Sequence, residues 1–442
     1  MTRGLALLLL LACGTALTQQ QLLLRRPPRL LGLSAQPIHS GSAALDATFS
    51  RPMHRNNVAA ESRVVPSVTH RWLGDGNPLR LIVDAEAPIT APLELRLAGR
   101  DQRMEPLTPQ RWWWDPRPWL LVTRQVQGGE QLQLLTREGD WRPMSPTWTA
   151  LQSVVPLGNG KGVAMVSSND DGEEQIWWQP LTSTNIARSL EALNAPKASP
   201  VESLAQGTLL FGHLSSNLNG DLLVQTGGLR PGSEQVELIQ ANGRRRILTL
   251  QASGPMQLLP AGGGVVIPTY DGLKLQPLLS SDPKQAQMLP GSREIGAFCA
   301  ASGRAVLIRH WPDYRRSIEL VVPGQAPQQL LLGEKAVLGV ACDGSGKRIW
   351  AVLGAWKDTG GEHELVLIND AGDVLNQRQL APWLMKAGTP IGFDPVSQRL
   401  LMTVIAPEQK GRAGRPALID AKTLQPQQVL PIDVGEALWL RS

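Results

Sequence analysis

Histidine and cysteine, the side chains behind most metal centres and many nucleophilic sites, are scarce here, at 6 and 3 among 442 residues. The histidines stand at positions 39, 54, 70, 213, 310 and 363, and none pairs with another at metal-ligand spacing. His363-Glu364 lacks the second histidine of a zinc-protease helix. Neither a Gly-rich phosphate loop nor a Gly-x-Ser-x-Gly elbow occurs, so the linear signatures of nucleotide and ester chemistry are missing. No metal or cofactor is implied. A catalytic group assembled in space leaves no linear trace, so a hydrolase or lyase remains the competing expectation. Beyond the first 24 residues no further apolar run approaches the ~20 residues that a spanning helix needs. Phenylalanine and tyrosine number only 4 and 2, whereas tryptophan reaches 14.

Glycine and proline, at 43 and 35, are spread along the chain rather than clustered. That distribution reads as many turns between short strands, an all-β protein. The net charge of +5 is spread over a long chain, with Arg244-Arg245-Arg246 as one local cluster. Such a mild excess is a basic soluble surface and does not point to nucleic acid.

At the N-terminus Arg3 precedes the apolar run Leu5–Leu11, and small Ala12 then leads into Cys13. The order Leu10-Leu11-Ala12-Cys13-Gly14 resembles the lipobox of bacterial lipoproteins. That resemblance implies a signal peptide over residues 1–12, cleavage ahead of Cys13, and acyl chains on the cysteine and its sulfur. Each buried methylene adds about 0.8 kcal/mol, so two or three chains hold a protein on a bilayer far better than one. A cleaved signal with a soluble product is one alternative. An uncleaved anchor over Gly4–Leu24 is another, and Thr18-Gln19-Gln20-Gln21 would then sit in hydrocarbon. Residues 13–40, with Arg25-Arg26-Pro27-Pro28-Arg29, read as an extended tether.

Residues 41–105 read as a small β-domain. Leu45, Ala47 and Phe49 alternate with Asp46, Thr48 and Ser50, and Leu79–Val83 and Leu93–Leu97 repeat the period of two. Phe49-Ser50-Arg51-Pro52-Met53, Val58, Val64-Val65-Pro66, Arg71-Trp72, Leu79–Val83, the stretch from Asp84 to Leu95 and Arg100-Asp101 resemble the bacterial immunoglobulin-like module of envelope proteins. Leu95 departs from it, standing where a tyrosine is common. The resemblance implies a spacer or adhesion module without catalytic residues.

From residue 110 to 442 short strands and turns recur as one unit. Lys347–Leu353, Glu364–Ile368 and Val374–Leu380 make one example; Asp221–Thr226, Gln235–Ile239 and Arg244–Leu250 make another. Between the latter, Asn242-Gly243 predicts a two-residue hairpin with both residues at positive φ. This series resembles TolB-type and WD-like β-propellers, and at about 40–50 residues per blade the length implies about seven blades. Trp112-Trp113-Trp114 and Ala437-Leu438-Trp439-Leu440 are expected to share the closing blade. Most tryptophans are expected to wedge between blades.

Cys299 and Cys342 occupy matching contexts in successive repeats. A disulfide and two buried free thiols both satisfy that placement, and an oxidising compartment favours the bond. Asn169-Asp170-Asp171-Gly172-Glu173-Glu174 reads as a solvated hairpin tip, since it lacks the alternating oxygens of a calcium loop. His310, Trp311, Tyr314, Arg315 and Arg316 form an aromatic, basic turn and are the candidate binding loop. The expectation is an exported, lipid-anchored, non-catalytic envelope protein. Its Ig-like spacer presents a propeller to an envelope protein or glycan, with the N-terminal lipid in the membrane.

Overall fold

The computed structural model of the chain describes residues 12, 14–15, 18–19, 26–37, 41–205, 207–230, 232–251, 253–278, 286–357, 360–406 and 413–441. Cys13 and His39, both singled out in the sequence, lie outside these residues. Among the described residues no helix is long and apolar enough to cross a membrane.

Two four-stranded sheets pack on one core near the N-terminus. One runs Leu30–Gln36, Ala43–Phe49, Leu79–Val83, His70–Leu73; the other runs Ile186–Ala187, Gln110–Trp114, Leu93–Leu97, Arg63–Val65. The period of two points Leu45, Ala47, Phe49, Leu81, Leu95 and Trp114 into the shared core. Asp46, on the other face of its strand, is also buried and takes a forked pair from Arg80 at 2.7 and 2.9 Å. Arg55–Glu61, which carries no strand pattern, is a short helix with Val58 buried.

Two expectations are corrected by the pairing. Leu30–Gln36, read as tether, is an edge strand on Ala43–Phe49, because Leu30 and Leu33 pack against the core. Trp112–Trp114 does not meet the C-terminal strand. It pairs with Leu93–Leu97, Trp112 opposite Leu95, and Trp114 is 1% exposed in the sandwich core. Alternation alone cannot say which neighbour a strand will choose.

The rest is a β-propeller of seven blades. The first holds Trp119–Val126, Gly129–Leu135 and Trp141–Trp148, and its inner strand is Ala437–Leu440 from the far end of the chain. That strand sits with Ala437 opposite Val122 and Leu440 opposite Trp119, so the two ends of the ring are stitched into one sheet. The other blades begin at inner strands Ala150–Pro156, Leu209–Ser216, Gln257–Leu258, Arg293–Cys299, Ala336–Cys342 and Gly392–Asp394. Contacts pass from blade to blade and return to the first. Closure leaves no long open edge to recruit another chain.

Apolar cores fill the seams, mostly of Leu, Val and Ile, and indoles enter some of them. Trp119, Trp148 and Trp177 lie between blades 1 and 2, with the rings of Trp148 and Trp177 5.9 Å apart. Trp350 lies between blades 6 and 7, its Nε1 donating to Ala421 O at 2.7 Å.

The hairpins share one device. Asn169, Asn217 and Asn369 each accept two backbone N–H bonds on Oδ1, from residues two and four ahead. Each donates Nδ2 to the acid four ahead, Glu173, Asp221 or Asp373, at 2.8–2.9 Å. Glycine fills the left-handed position between, as at Gly372 with φ +97°. The Asn242-Gly243 turn follows the same backbone course: Gly243 N donates to Gln240 O and only Gly243 has positive φ, at +85°. It is therefore a type I turn closed by a left-handed glycine, and the expected two-residue hairpin is corrected.

Candidate functional site

The ring has two ends, and strand direction distinguishes them. The sandwich docks where inner strands finish: Ile89 N donates to Val396 O, Arg117 Nη1 donates to Thr90 O at 2.6 Å, and Asp115 N donates to Asn185 O. Val396, in the turn after inner strand Gly392–Asp394, is 1% exposed and belongs to the sandwich core. Arg137 supports the junction. It donates to Pro118 O and Arg117 O and lies 3.8 Å over the Trp119 ring. Burial lowers its guanidinium to about 10, with Asp115 pulling the other way.

Between sandwich and ring lies a cleft of about 700 Å³. Gln36, Asn159, Asn185 and Asn219 supply amides to its wall, and Phe393 and Trp439 supply rings. At its base Asp394 accepts from Val396 N at 3.1 Å and from Ser397 N at 2.7 Å. Burial nevertheless holds the Asp394 carboxyl above its usual range, and burial lowers Arg441 beside it. Arg441 Nη1 is buried without a hydrogen-bond partner among the described residues. Amide-rich walls with aromatic faces suit a neutral polar ligand.

Cys299 and Cys342 close inner strands of adjacent blades at this same end and are disulfide-bonded, S–S 2.12 Å and Cα–Cα 5.5 Å. The inner strands of blades 5 and 6 run side by side, which brings equivalent positions within bonding range.

The candidate loop stands at the opposite end. It joins Arg304–His310 to Arg316–Val321 in blade 5, and His310 N donates to Ser292 O at the start of that blade's inner strand. Its parts are held from below. Glu319 takes Arg293 at 2.7 Å and Arg309 at 3.6 Å, and the Arg309 guanidinium lies 3.7 Å over the Trp311 ring. Trp311 Nε1 donates to Ser317 Oγ at 2.9 Å beneath the Arg309 guanidinium, so this ring is a support rather than a free platform. His310 Nε2 pairs with Glu294 at 3.3 Å, Arg315 with Asp313 at 2.7 Å, and Arg316 Nη1 donates to Tyr314 O and Arg315 O. Tyr314 alone of the five projects freely, at 85% exposure.

A third group stands at this end, just ahead of inner strand Ala437–Leu440. Burial raises the Glu436 carboxyl to about 7, against the pull of Lys386 and helped by Glu130. Lys386 Nζ donates to Gly435 O at 2.5 Å, and Glu130 accepts from Leu151 N at 2.7 Å. His213 and His363 are lowered by burial. His363 Nδ1 accepts the Met385 N–H at 2.8 Å, which leaves the ring proton on Nε2. Among the described residues no three His, Cys, Asp or Glu gather as a metal site. In Asn169–Glu174 the Asn169 and Glu173 oxygens serve the turn itself, and Glu174 accepts from Gly212 N at 2.6 Å.

Sequence reasoning missed Glu436, Asp394 and Arg441, because burial and spatial neighbours set their behaviour and neither is written in local spacing.

No protein-family model matches the chain, and no curated protein sequence does either. Similarity emerges only among solved structures. TolB from Acinetobacter baumannii is 12% identical, with 80% of each chain covered and a TM-score of 0.41. A putative 6-phosphogluconolactonase from Bacteroides uniformis is 12% identical over 74% of this chain and 100% of that one, TM-score 0.47. The propeller domain of the Trilobed protease from Pyrococcus furiosus is 10% identical over 75% and 94%, TM-score 0.42. The fold itself rests on the pairing of Ala437–Leu440 with Trp119–Val126.

Proposed function

We propose that this chain is an exported, lipid-anchored envelope protein that works by binding. Acyl chains on Cys13 hold it to a membrane, the Ig-like sandwich spaces the ring from the bilayer, and the propeller engages an envelope protein or glycan. The observation that carries the reading is the placement of the sandwich on one end of the ring. It leaves the other end, with the His310–Arg316 hairpin, pointing away from the N-terminal segment. The Cys299–Cys342 bond supports an oxidising compartment, since such bonds are rare in a reducing cytosol. The amide- and ring-lined cleft supports a sugar as the small ligand of the junction.

Labelling with radioactive palmitate tests the anchor. Wild type incorporates label and sediments with membranes, whereas Cys13→Ser does neither. Label in both forms, or in neither, contradicts the reading. Arg315→Glu with Arg316→Glu is expected to weaken partner binding.

One observation favours a second reading, a hydrolase or lyase at the central mouth. Glu436, half-protonated near neutral pH beside Lys386 and Glu130, has the ionisation of a general acid–base. Turnover of any envelope glycan or peptide that Glu436→Gln abolishes would establish it.

A further inference from the structure

The chain has only two tyrosines, and both are in the hairpin between the second and third strands of neighbouring blades. Tyr270 is at the tip between Gly264–Thr269 and Gly272–Pro277 in blade 4, 100% exposed. Tyr314 is at the equivalent tip of blade 5. In blade 6 the corresponding hairpin joins Arg348–Lys357 to Gly360–Asn369, and it carries Trp356, 86% exposed. Every other tryptophan is at least partly buried. Three consecutive blades thus raise one bare aromatic each, on the end of the ring away from the sandwich.

Backbone conformation adds a second, independent observation. Tyr314 has φ +66° and closes a turn in which Tyr314 N donates to Trp311 O and Trp311 N donates to Arg315 O. Glycine fills that position in the matching turns, at Gly172, Gly220 and Gly372. A tyrosine is strained where glycine would be relaxed, and such strain collects at functional positions.

The surrounding charge selects the kind of partner. Asp313 pairs with Arg315 and, below the tips, buried Glu364 pairs with Lys335, while Glu294 lies 3.3 Å from the His310 ring. Among the described residues charges of both signs therefore stand here, which disfavours a polyanion or an anionic bilayer. No two of the three rings stack on each other, so the face lacks a paired platform for a sugar chain. Separated, exposed Tyr and Trp anchors, with Arg315 next to Tyr314, match the composition of protein–protein hot spots.

We propose that Tyr270, Tyr314 and Trp356 form a three-point docking face for a folded protein whose own surface carries apolar sockets ringed by charges of both signs. This rests on the binding-module reading and names the surface that reading leaves open. The test places the photo-crosslinker p-benzoylphenylalanine at 270, 314 or 356 in the full chain in its native cells, with Leu31, 64% exposed on the sandwich edge, as control position. The three face positions are expected to capture one and the same protein, and position 31 not to capture it. With that protein purified, Tyr270→Ser, Tyr314→Ser and Trp356→Ser are each expected to weaken binding at least about tenfold, with circular dichroism unchanged. Capture only of a second copy of this chain overturns the proposal. So does sedimentation of the purified chain with phosphatidylglycerol vesicles accompanied by a blue shift of Trp356 emission. A partner that binds all three serine variants at full strength removes this face but leaves the binding module standing. Capture from no surface position, together with Glu436-dependent turnover, removes both.

Discussion

Breaking the Cys299–Cys342 bond gives the most quantitative handle on this molecule. The bond closes a stretch of 43 residues that runs from the inner strand of blade 5 to that of blade 6. Chain entropy for a loop of that length is about 13 cal/mol/K, or about 4 kcal/mol at room temperature. Cys299 is also 0% exposed in the seam between these blades, so Cys299→Ala with Cys342→Ala adds a small packing loss to that figure. At about 2.1 cal/mol/K per residue, a cooperative unit of roughly 400 residues has an unfolding entropy near 0.8 kcal/mol/K. The Tm should therefore fall by about 5 °C. Thermal melts of the double variant against wild type, followed by tryptophan emission, read this directly, because Trp350 in the adjoining seam reports on opening of the ring. Reduced wild type should match the variant to within the packing loss. Equal melting temperatures for all three, or two titratable thiols in unfolded wild type, would refute the reasoning.

Other perturbations follow from single residues. Leu440 is 0% exposed and anchors the closing strand, so Leu440→Ala should cost about 3 kcal/mol, seen as a lower urea midpoint. Glu319→Ala strands the buried Arg293 and frees Arg309 from its place over Trp311; about 3–5 kcal/mol of destabilisation is expected in the same assay, with altered Trp311 emission. Tyr314→Gly relieves the left-handed backbone and should raise stability by up to about 1 kcal/mol while weakening partner binding, a divergence that melts and binding curves read separately. The Glu436 carboxyl binds its proton more tightly when folded than its usual 4.5, so stability is greatest below about pH 4.5 as far as this group is concerned and falls as pH rises to about 7. Glu436→Gln should remove that slope, worth about 1–3 kcal/mol at pH 8, the lower end applying because the side chain keeps some contact with solvent.

Much of the architecture is legible in the sequence because each blade repeats the same short strands and turns. Lys347–Leu353 and Glu364–Ile368, read as neighbouring strands, pair along their length. The pattern Asn-x-x-Gly followed by an acid is open to view at 169, 217 and 369, and its hydrogen bonds explain why it recurs. What pairs with what is not legible. Trp112–Trp114 alternates as well for a sandwich as for a blade, and only three-dimensional register assigns it to Leu93–Leu97. Leu30–Gln36 hides behind a proline- and arginine-rich stretch, although Leu30 and Leu33 find the core. The candidate loop is recognisable from its aromatic and basic content, yet much of that content is engaged within the blade: Trp311 lies under Arg309 and the exposed Arg315 is paired with Asp313. Tyr270 and Trp356 give no local signal, because a bare ring at a hairpin tip is defined by the absence of neighbours.

We propose that this ring works outside the cytoplasm, held by lipid on Cys13. Mass spectrometry of a non-reduced digest of the protein from its own membranes tests it most directly. The account predicts an N-terminal peptide that begins at Cys13 and carries diacylglycerol, together with a peptide pair joined through Cys299 and Cys342. An intact, unmodified Met1 peptide with both cysteines as free thiols would contradict it.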